Sequence, residues 1–480
     1  MPLMTGQQYR DSLSKQKLDI RFMGRRISDV CGDPATRPHV NAAAMTYDMA
    51  HMPEFEDLVR AKSGLTGEVC NRFTHIHQSV DDLLREIRML RACSQQTASC
   101  YQRCVGHDAI NALYTVTYEM DQKLGTSYHG RLVDFVKFLQ QTDRMADGGM
   151  TDPKGDRSLA PSKQADPDLY LRVLEQRKDG IVVRGAKAHQ TGAVNSHEFI
   201  AMPTTAMGPD DKDYAVSFAV PTDAPGLLYI FGKQTNDERK LGCVDQGNVR
   251  FGIVGGEALV VFEDVFVPWE RVFMCGEVAF SGPLVERFAE YHRARYGACK
   301  GGVADILVGA VVALSEMQGT AKAAHIREKI TDMVHLTESL YACSVAAAAM
   351  GSPTPSGAYA VNSMMANVCK LNVTRSIYEI ARLAQDIAGG FIATLPSEQD
   401  LDDPEVGPYI KKYFKGVADV PTEHRIRVAR LIENMTGGTA LVESMHGAGS
   451  PQAARIFIAR RANLEQKKRQ ALRLAGVDGA

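Results

Sequence analysis

The chain has no excess of either charge: 55 lysines and arginines stand against 57 aspartates and glutamates, a formal net charge of −2. Without a broad basic face it cannot neutralise a run of phosphates, which argues against general nucleic-acid binding. A local basic patch for one phosphorylated small molecule remains open. Long apolar runs are also missing. The opening MPLMTGQQYRDSLSKQKLDI has no apolar signal-peptide core, and the most apolar later stretch, Ile306 to Leu314, is far shorter than the ~20 residues that span a bilayer. No membrane segment is expected, and the expected compartment is the cytoplasm, where thiols stay reduced. The ten cysteines are then not a disulfide framework, and any single one reads most simply as a small buried hydrophobe. Internal repeats and low-complexity tracts are absent. So are a G-x-G-x-x-G after a strand and a Walker motif, which removes the familiar nucleotide loops.

What is present is ample core material. The 480 residues are 45% hydrophobic and 23% charged, enough for about three domains at roughly 150 residues each. Residues 1–147 read as helical: Ile76, Val80, Leu83, Leu84, Ile87 and Leu90 recur at helical spacing between Thr74 and Ala92. Residues 148–278 open on a Gly, Pro, Asp and Ser-rich boundary. They continue with β-type runs at Gly180-IVVRG, Tyr214-AVSFAVP, Leu227-LYIFG and Ala258-LVVFEDVFVP. Residues 279–480 return to long helical patterns, including Ala323 to Met350, Tyr359 to Ile387 and Thr422 to Leu441. The expected fold is mostly α with a central β domain.

Two clusters carry chemistry. Cys100-Tyr-Gln-Arg-Cys104 would place both thiols on one helix face, where they suit either one metal centre or an apolar core. His107 and Cys93 are further conceivable members. In His292-Arg-Ala-Arg-Tyr296-Gly-Ala-Cys299-Lys300, the imidazole, phenol and thiol stack at i, i+4 and i+7. Two such segments could supply four ligands, or the second could simply face a polar cavity. The turn-rich loop Met150, Thr151, Asp152, Pro153, Lys154, Gly155, Asp156, Arg157 is either a linker or a cradle for a flavin. His189, Gln190 and Thr191 follow the first β run and offer polar groups to a cofactor ring.

The segments TASCYQRCVG (97–106), MTDPKGDR (150–157), VRGAKAHQTG (183–192), YHRARYGACK (291–300), EIARLAQDIAGG (379–390) and ESMHGAGSPQA (443–453) resemble those of the 4-hydroxybutyryl-CoA dehydratases. These form a branch of the flavin-dependent 4-hydroxyphenylacetate 3-hydroxylase family. The resemblance runs almost end to end. It implies an acyl-CoA dehydrogenase-like architecture with an N-terminal helical domain, a middle β-barrel that binds flavin and a C-terminal helical bundle. It also implies a [4Fe-4S] cluster on Cys100, Cys104, His292 and Cys299, leaving His107 and Cys93 outside the ligand set. Gln102, Thr191, Glu257, Tyr296, Lys300 and Glu443 would surround the substrate, with His292 doubling as base. FAD would contact residues 150–157 and His189 to Thr191. Ala388, Gly389 and Gly390 would serve the flavin of a neighbouring subunit, in an expected homotetramer.

The implied activity is radical dehydration of a CoA thioester, 4-hydroxybutyryl-CoA, to crotonyl-CoA, together with vinylacetyl-CoA Δ-isomerisation. The C3 hydrogen is not activated by the thioester, so simple acid–base elimination is insufficient. Flavin would store one electron and the cluster iron would polarise the leaving hydroxyl. An iron open to that hydroxyl is also open to dioxygen, so oxygen sensitivity is expected. A flavin-dependent aromatic-ring hydroxylase on the same scaffold is the alternative.

Overall fold

The computed structural model describes residues 3–234, 245, 247–248, 250–253 and 255–477. The N-terminal part is built on the helices Val80–Thr97, Cys104–Leu124 and Tyr128–Thr142. The first starts later than periodicity suggests. Asn71 caps a short turn at Arg72–Thr74, Ile76 lies on extended chain, and Ser79 then accepts from the Asp82 amide as the helix N-cap.

The middle part has two sheets. The six-stranded one runs Arg25–Ile27, Ile20–Phe22, Leu227–Phe231, Glu257–Pro268, Gly180–Thr191, Arg172–Gln176. The four-stranded one runs Val272–Cys275, Val216–Pro221, Glu198–Ala201, Ala146–Gly149. All four β-type runs seen in the sequence are strands here. The expected barrel is not found: both sheets are open, and among the described residues no strand ladder joins one to the other. Instead they meet through side chains, with Phe262 edge-on to Phe199 and Phe218 at 5.7 and 5.9 Å. Two strands of the larger sheet, at 20–27, come from the N-terminal segment.

The C-terminal part turns about the 40-residue helix Val278–Met317, packed on Ala324–Ala349 and Ser363–Ala388. It is long and apolar enough to cross a membrane, which the short Ile306–Leu314 run did not suggest. Yet 56% of its most apolar window is buried inside the protein, as befits a core helix. Two glycines set how closely its neighbours approach. A Cβ on Gly297 would lie 2.2 Å from the Leu340 carbonyl oxygen, and one on Gly302 2.4 Å from that of Arg91. The helix expected over 422–441 breaks at Gly437–Gly438, where Gly438 takes φ +51°. A new helix, Thr439–His446, then carries Glu443 back toward Val278–Met317.

One carboxyl is buried between the sheets. Among the described residues neither enclosed oxygen of Asp147 has a well-formed hydrogen bond, and burial pushes its pKa from 3.8 to about 8 against only the backbone amide of Gly148. Between those values the unfolded chain releases a proton that the folded chain keeps. Its contribution to stability is therefore full below the unfolded value and is lost as pH rises toward 8. Asp147→Asn should raise the thermal midpoint over the parent, by a margin that widens from pH 5 to pH 8. A margin independent of pH would mean that this carboxyl titrates normally.

Candidate functional site

Cys100 and Cys104 do not share a helix. Val80–Thr97 ends at Ala98, which adopts a left-handed conformation (φ 50°) and donates its amide to Ser94 O at 2.7 Å. The next helix begins only at Cys104. The loop between them carries Cys100, and Gln102 is itself left-handed (φ 68°), its Nε2 donating to Cys100 O at 3.0 Å. A Cβ added to Gly192 would come 2.8 Å from Gln102 Cβ, so the loop rests on the turn after Thr191.

Helix Val278–Met317 brings the second segment against this loop. Cys299 acts electrostatically on Cys100, and both act on Cys104, although more than 190 residues of chain separate Cys100 from Cys299. Burial pushes all three thiols up, Cys299 to about 11, while Lys300 opposes the shift at Cys100 and Cys299. His292 stacks on Phe288 (5.8 Å between ring centres) and places Nδ1 2.6 Å from Asp108 Oδ2, leaving Nε2 as the ring atom for another ligand. Three soft sulfur donors and one imidazole, flanked by Lys300 and Arg295, form a donor set that fits an iron–sulfur cluster.

His107 is drawn elsewhere: its Nδ1 lies 2.7 Å from Glu86 Oε1 and its Nε2 2.7 Å from His75 O. Cys93 is fully buried in the N-terminal core.

Beside the thiols stand two carboxylates with opposite fates. Glu443 accepts from the Tyr296 hydroxyl at 3.0 Å and is ion-paired to Lys300. Burial alone would raise it, but Lys300, Tyr296 and Lys370 bring it below the usual range. Gly447 permits this approach, because a Cβ there would fall 1.7 Å from Tyr296 Oη. Glu257 pairs across the sheet with Thr191, whose hydroxyl donates to Oε2 at 2.6 Å. Burial pushes Glu257 up to about 8 against that hydrogen bond, with Glu443 adding to the rise. Among the described residues Glu257 Oε1 and Gln102 Oε1 are both buried without a partner, two polar atoms that a bound ligand can satisfy.

The 150–157 loop lies along the end of the Gly180–Thr191 strand. Thr151 O accepts from Ala188 N at 2.8 Å and Gln190 Nε2 at 3.1 Å, and Met150 O accepts from Lys187 Nζ at 3.2 Å. Asp152 pairs with Lys187 at 2.9 Å. Pro153, Gly155, Asp156, Arg157 and His189 stay exposed, and Lys154 and His189 have positive φ. This makes one polar strip from the loop to Thr191, and its donors, backbone and basic side chains fit a flavin's phosphates and ring. Ala388–Gly390 ends the helix Ser363–Ala388; among the described residues no hydrogen bond or ion pair ties it to the strip or the thiols, and a Cβ on Gly389 or Gly390 would meet nothing within 4 Å.

Sequence reading missed four residues here: Asp108, Arg295, Glu86 and Lys370. Asp108 and Arg295 sit one turn from Cys104 and His292, a spacing that could have revealed them. Lys370 gave no such signal. It is buried, stands 3.9 Å from the Tyr296 ring centre, and donates to Ser444 O at 3.1 Å. Burial pulls its pKa down to about 7, and Glu443 resists.

Replacing Glu443 strands two buried cations. Glu443→Gln should cost about 3–5 kcal/mol, the usual penalty for removing one partner of a buried ion pair, read from denaturant unfolding at pH 7. A loss under about 1 kcal/mol would show that the pair behaves as a surface one.

Residues 5–274 match the family model for the 4-hydroxyphenylacetate 3-hydroxylase N terminal region, and residues 281–476 that for the C terminal region. A curated relative from Clostridium aminobutyricum, 4-hydroxybutyryl-CoA dehydratase/vinylacetyl-CoA-Delta-isomerase, is 51% identical over 99% of this chain and 100% of its own length. A solved structure described as an oxygen tolerant archaeal 4-hydroxybutyryl-CoA dehydratase from N. maritimus superposes with TM-score 0.97 at 47% identity, covering 100% of this chain and 96% of that one. At the level of fold alone, the oxygenase component of 4-hydroxyphenylacetate 3-monooxygenase complexed with FAD gives TM-score 0.84 at 22% identity, covering 98% of each chain. Glutaryl-coenzyme A dehydrogenase gives 0.51 at 12%, covering 98% of this chain and 94% of that one.

Proposed function

The chain belongs to the 4-hydroxyphenylacetate 3-hydroxylase family, and from that premise we propose that it works as a 4-hydroxybutyryl-CoA dehydratase with vinylacetyl-CoA Δ-isomerase activity. The observation that supports this reading best is that Cys299 acts electrostatically on Cys100 and Cys104, while His292, on the helix of Cys299, is bonded through Nδ1 to Asp108 on the helix of Cys104. A [4Fe-4S] cluster on those four residues, with FAD along 150–157 and 189–191, would supply an electron-accepting centre and a Lewis-acid iron for the leaving hydroxyl. Gly389 and Gly390, half-buried and exposed beyond the buried Ala388, would face the flavin of a neighbouring subunit. A homotetramer is supported by large apolar side chains left outside, such as Tyr409 at 63% and Tyr413 at 71% exposure. A cytoplasmic location agrees with its nine described cysteines all being free thiols.

The protein's own groups divide the proton movements. Dehydration takes protons from C2 and C3 and hydroxide from C4, and returns one proton to C4, so that the net loss is one water. Glu443, held ionised by Lys300 and Tyr296, can receive a proton but has none to give. Glu257, held neutral by burial up to about pH 8, can give one from Oε1, the oxygen without a partner among the described residues. Tyr296 can turn its hydroxyl from Glu443 to the departing oxygen, with Lys300 balancing the charge. The Thr191 hydroxyl and the Gln102 amide can orient the thioester end, where negative charge develops on oxygen. His292 can serve as the base for C2 only through Nε2, in a state where that nitrogen is released from the iron, because Nδ1 is held by Asp108.

A reduced-flavin aromatic hydroxylase is the weaker reading, because it gives the three thiols and the imidazole no task. The deciding experiment is anaerobic purification followed by iron and sulfide analysis and assay with 4-hydroxybutyryl-CoA. Crotonyl-CoA formed by an iron-containing protein supports the proposal; an iron-free protein that hydroxylates phenols overturns it. We also read the iron as open to dioxygen, since the substrate hydroxyl must reach it. The archaeal relative is described as oxygen tolerant, so iron content during air exposure is the quantity to follow.

Cys299→Ala should lose iron and all dehydration, because a corner of the cluster loses its thiolate. Full iron with full turnover in that variant would overturn the ligand assignment. Dehydration should also fall as pH rises through about 8, where Glu257 gives up its proton. Glu257→Gln should be slower at every pH and should lack this alkaline limb; an unchanged limb would assign it to another group.

A further inference from the structure

A line of buried charge runs behind His292. Asp108, fully buried on the helix Cys104–Leu124, offers Oδ2 to His292 Nδ1 at 2.6 Å, while its Oδ1 is paired with Arg295 Nη1. The other amino group of Arg295 lies 2.8 Å from Glu86 Oε1, and Glu86 is flanked by His77 at 3.1 Å and His107 at 2.7 Å. His77, Glu86 and His107 place their donor atoms close enough to hold a metal ion. Arg295 already fills the cation's role there, with Nη2 also 3.1 Å from His77 Nε2. This cluster is therefore the anchor of the guanidinium and not a second metal centre.

We infer that Asp108, held by Arg295, is a positioning residue that fixes the tautomer and orientation of His292 toward the cluster. The inference rests on the reading of His292 as a cluster ligand. A carboxylate at Nδ1 keeps the ring proton on that nitrogen, so the lone pair sits on Nε2, the only ring atom free to bind metal. Phe288, stacked at an interplanar angle of 13°, limits rotation of the ring about this hydrogen bond. Arg295 has a second effect. It belongs to the helix that bears His292 and Cys299, and Asp108 to the helix that bears Cys104. The Arg295–Asp108 pair thus clamps two ligand-bearing helices together, and Arg295 Nη1 also donates to Cys104 O at 3.4 Å.

Asparagine at position 108 makes a sharp test. Its single amide oxygen cannot accept from both Arg295 and His292. If the oxygen stays with Arg295, the amide NH₂ faces Nδ1, the ring proton moves to Nε2, and the ligand lone pair is lost. The anaerobic holoenzyme is prepared with histidine labelled with ¹⁵N at either Nδ1 or Nε2, and pulsed EPR of the reduced protein reads which nitrogen couples to the cluster. In the unaltered protein the strong coupling should come from Nε2. In Asp108→Asn, with iron still on the three thiolates, that coupling should vanish and dehydration should fall about 10- to 100-fold, the usual cost of losing such a partner.

Coupling from Nδ1 in the unaltered protein, or an unchanged Nε2 coupling and turnover in Asp108→Asn, would overturn the positioning role. The first measurement decides even if the variant does not fold. Absence of iron, or of any histidine coupling, in the unaltered protein would instead overturn the cluster reading on which this one rests.

Discussion

The charge on Arg295 is the constraint around which this protein is arranged. From Phe288 to Lys300 nearly every residue of the long C-terminal helix is buried, among them Glu290, His292, Arg293, Arg295 and Lys300. A guanidinium cannot shed its proton to escape such a site, so it requires carboxylates beside it. Asp108 and Glu86 answer that need from two N-terminal helices, and burial of the long helix is thereby tied to one register against them. Burial tends to raise Glu86, but Arg295 and the two histidines hold it well below the usual carboxylate range. Once that register is set, Cys299 meets the loop of Cys100, and Lys300 and Tyr296 face Glu443.

Across the site, two glutamates of the same chemistry are driven apart by their surroundings. Glu443 has cations on one side and a phenol on the other, whereas Glu257 has a hydroxyl, the negative charge of Glu443 and Asp147, and only the smaller opposing pull of Lys300. No sequence motif distinguishes them. The difference comes from which helix or strand each one ends up against. Burial also raises the thiols, even those of Cys100 and Cys299, where Lys300 opposes the shift.

The order of helical, β and helical parts was legible in the sequence because it rests on local periodicity. The four β-type runs and the helices at 324–349 and 363–388 follow directly from it. Features that depend on contact were not. The helix reading of Cys100 failed because Ala98 and Gln102 take left-handed conformations that nothing in their side chains demands. The break at Gly437–Gly438 hid inside an otherwise helical pattern, and the strands at 20–27 are too short to show a period. The resemblance of motifs named the cysteines, His292, Tyr296 and the glutamates. Asp108, Glu86 and Lys370 lay outside those motifs, or entered them only as unremarked neighbours, since a buried charge declares its role only through the partner it meets.

The strand Ile20–Phe22 lies parallel to Leu227–Phe231, with Ile20 opposite Tyr229. During synthesis this early strand must wait until more than two hundred further residues have left the ribosome before its neighbour exists. Contacts of such long range close slowly, because the entropy of the intervening loop is lost before the pairing is gained. The site is completed later still: Cys299 is made 199 residues after Cys100, and Glu443, the partner of Tyr296, only near the end of the chain. The pocket around Tyr296 is therefore finished only once the last helices have docked, although its first members are made in the first quarter of the chain.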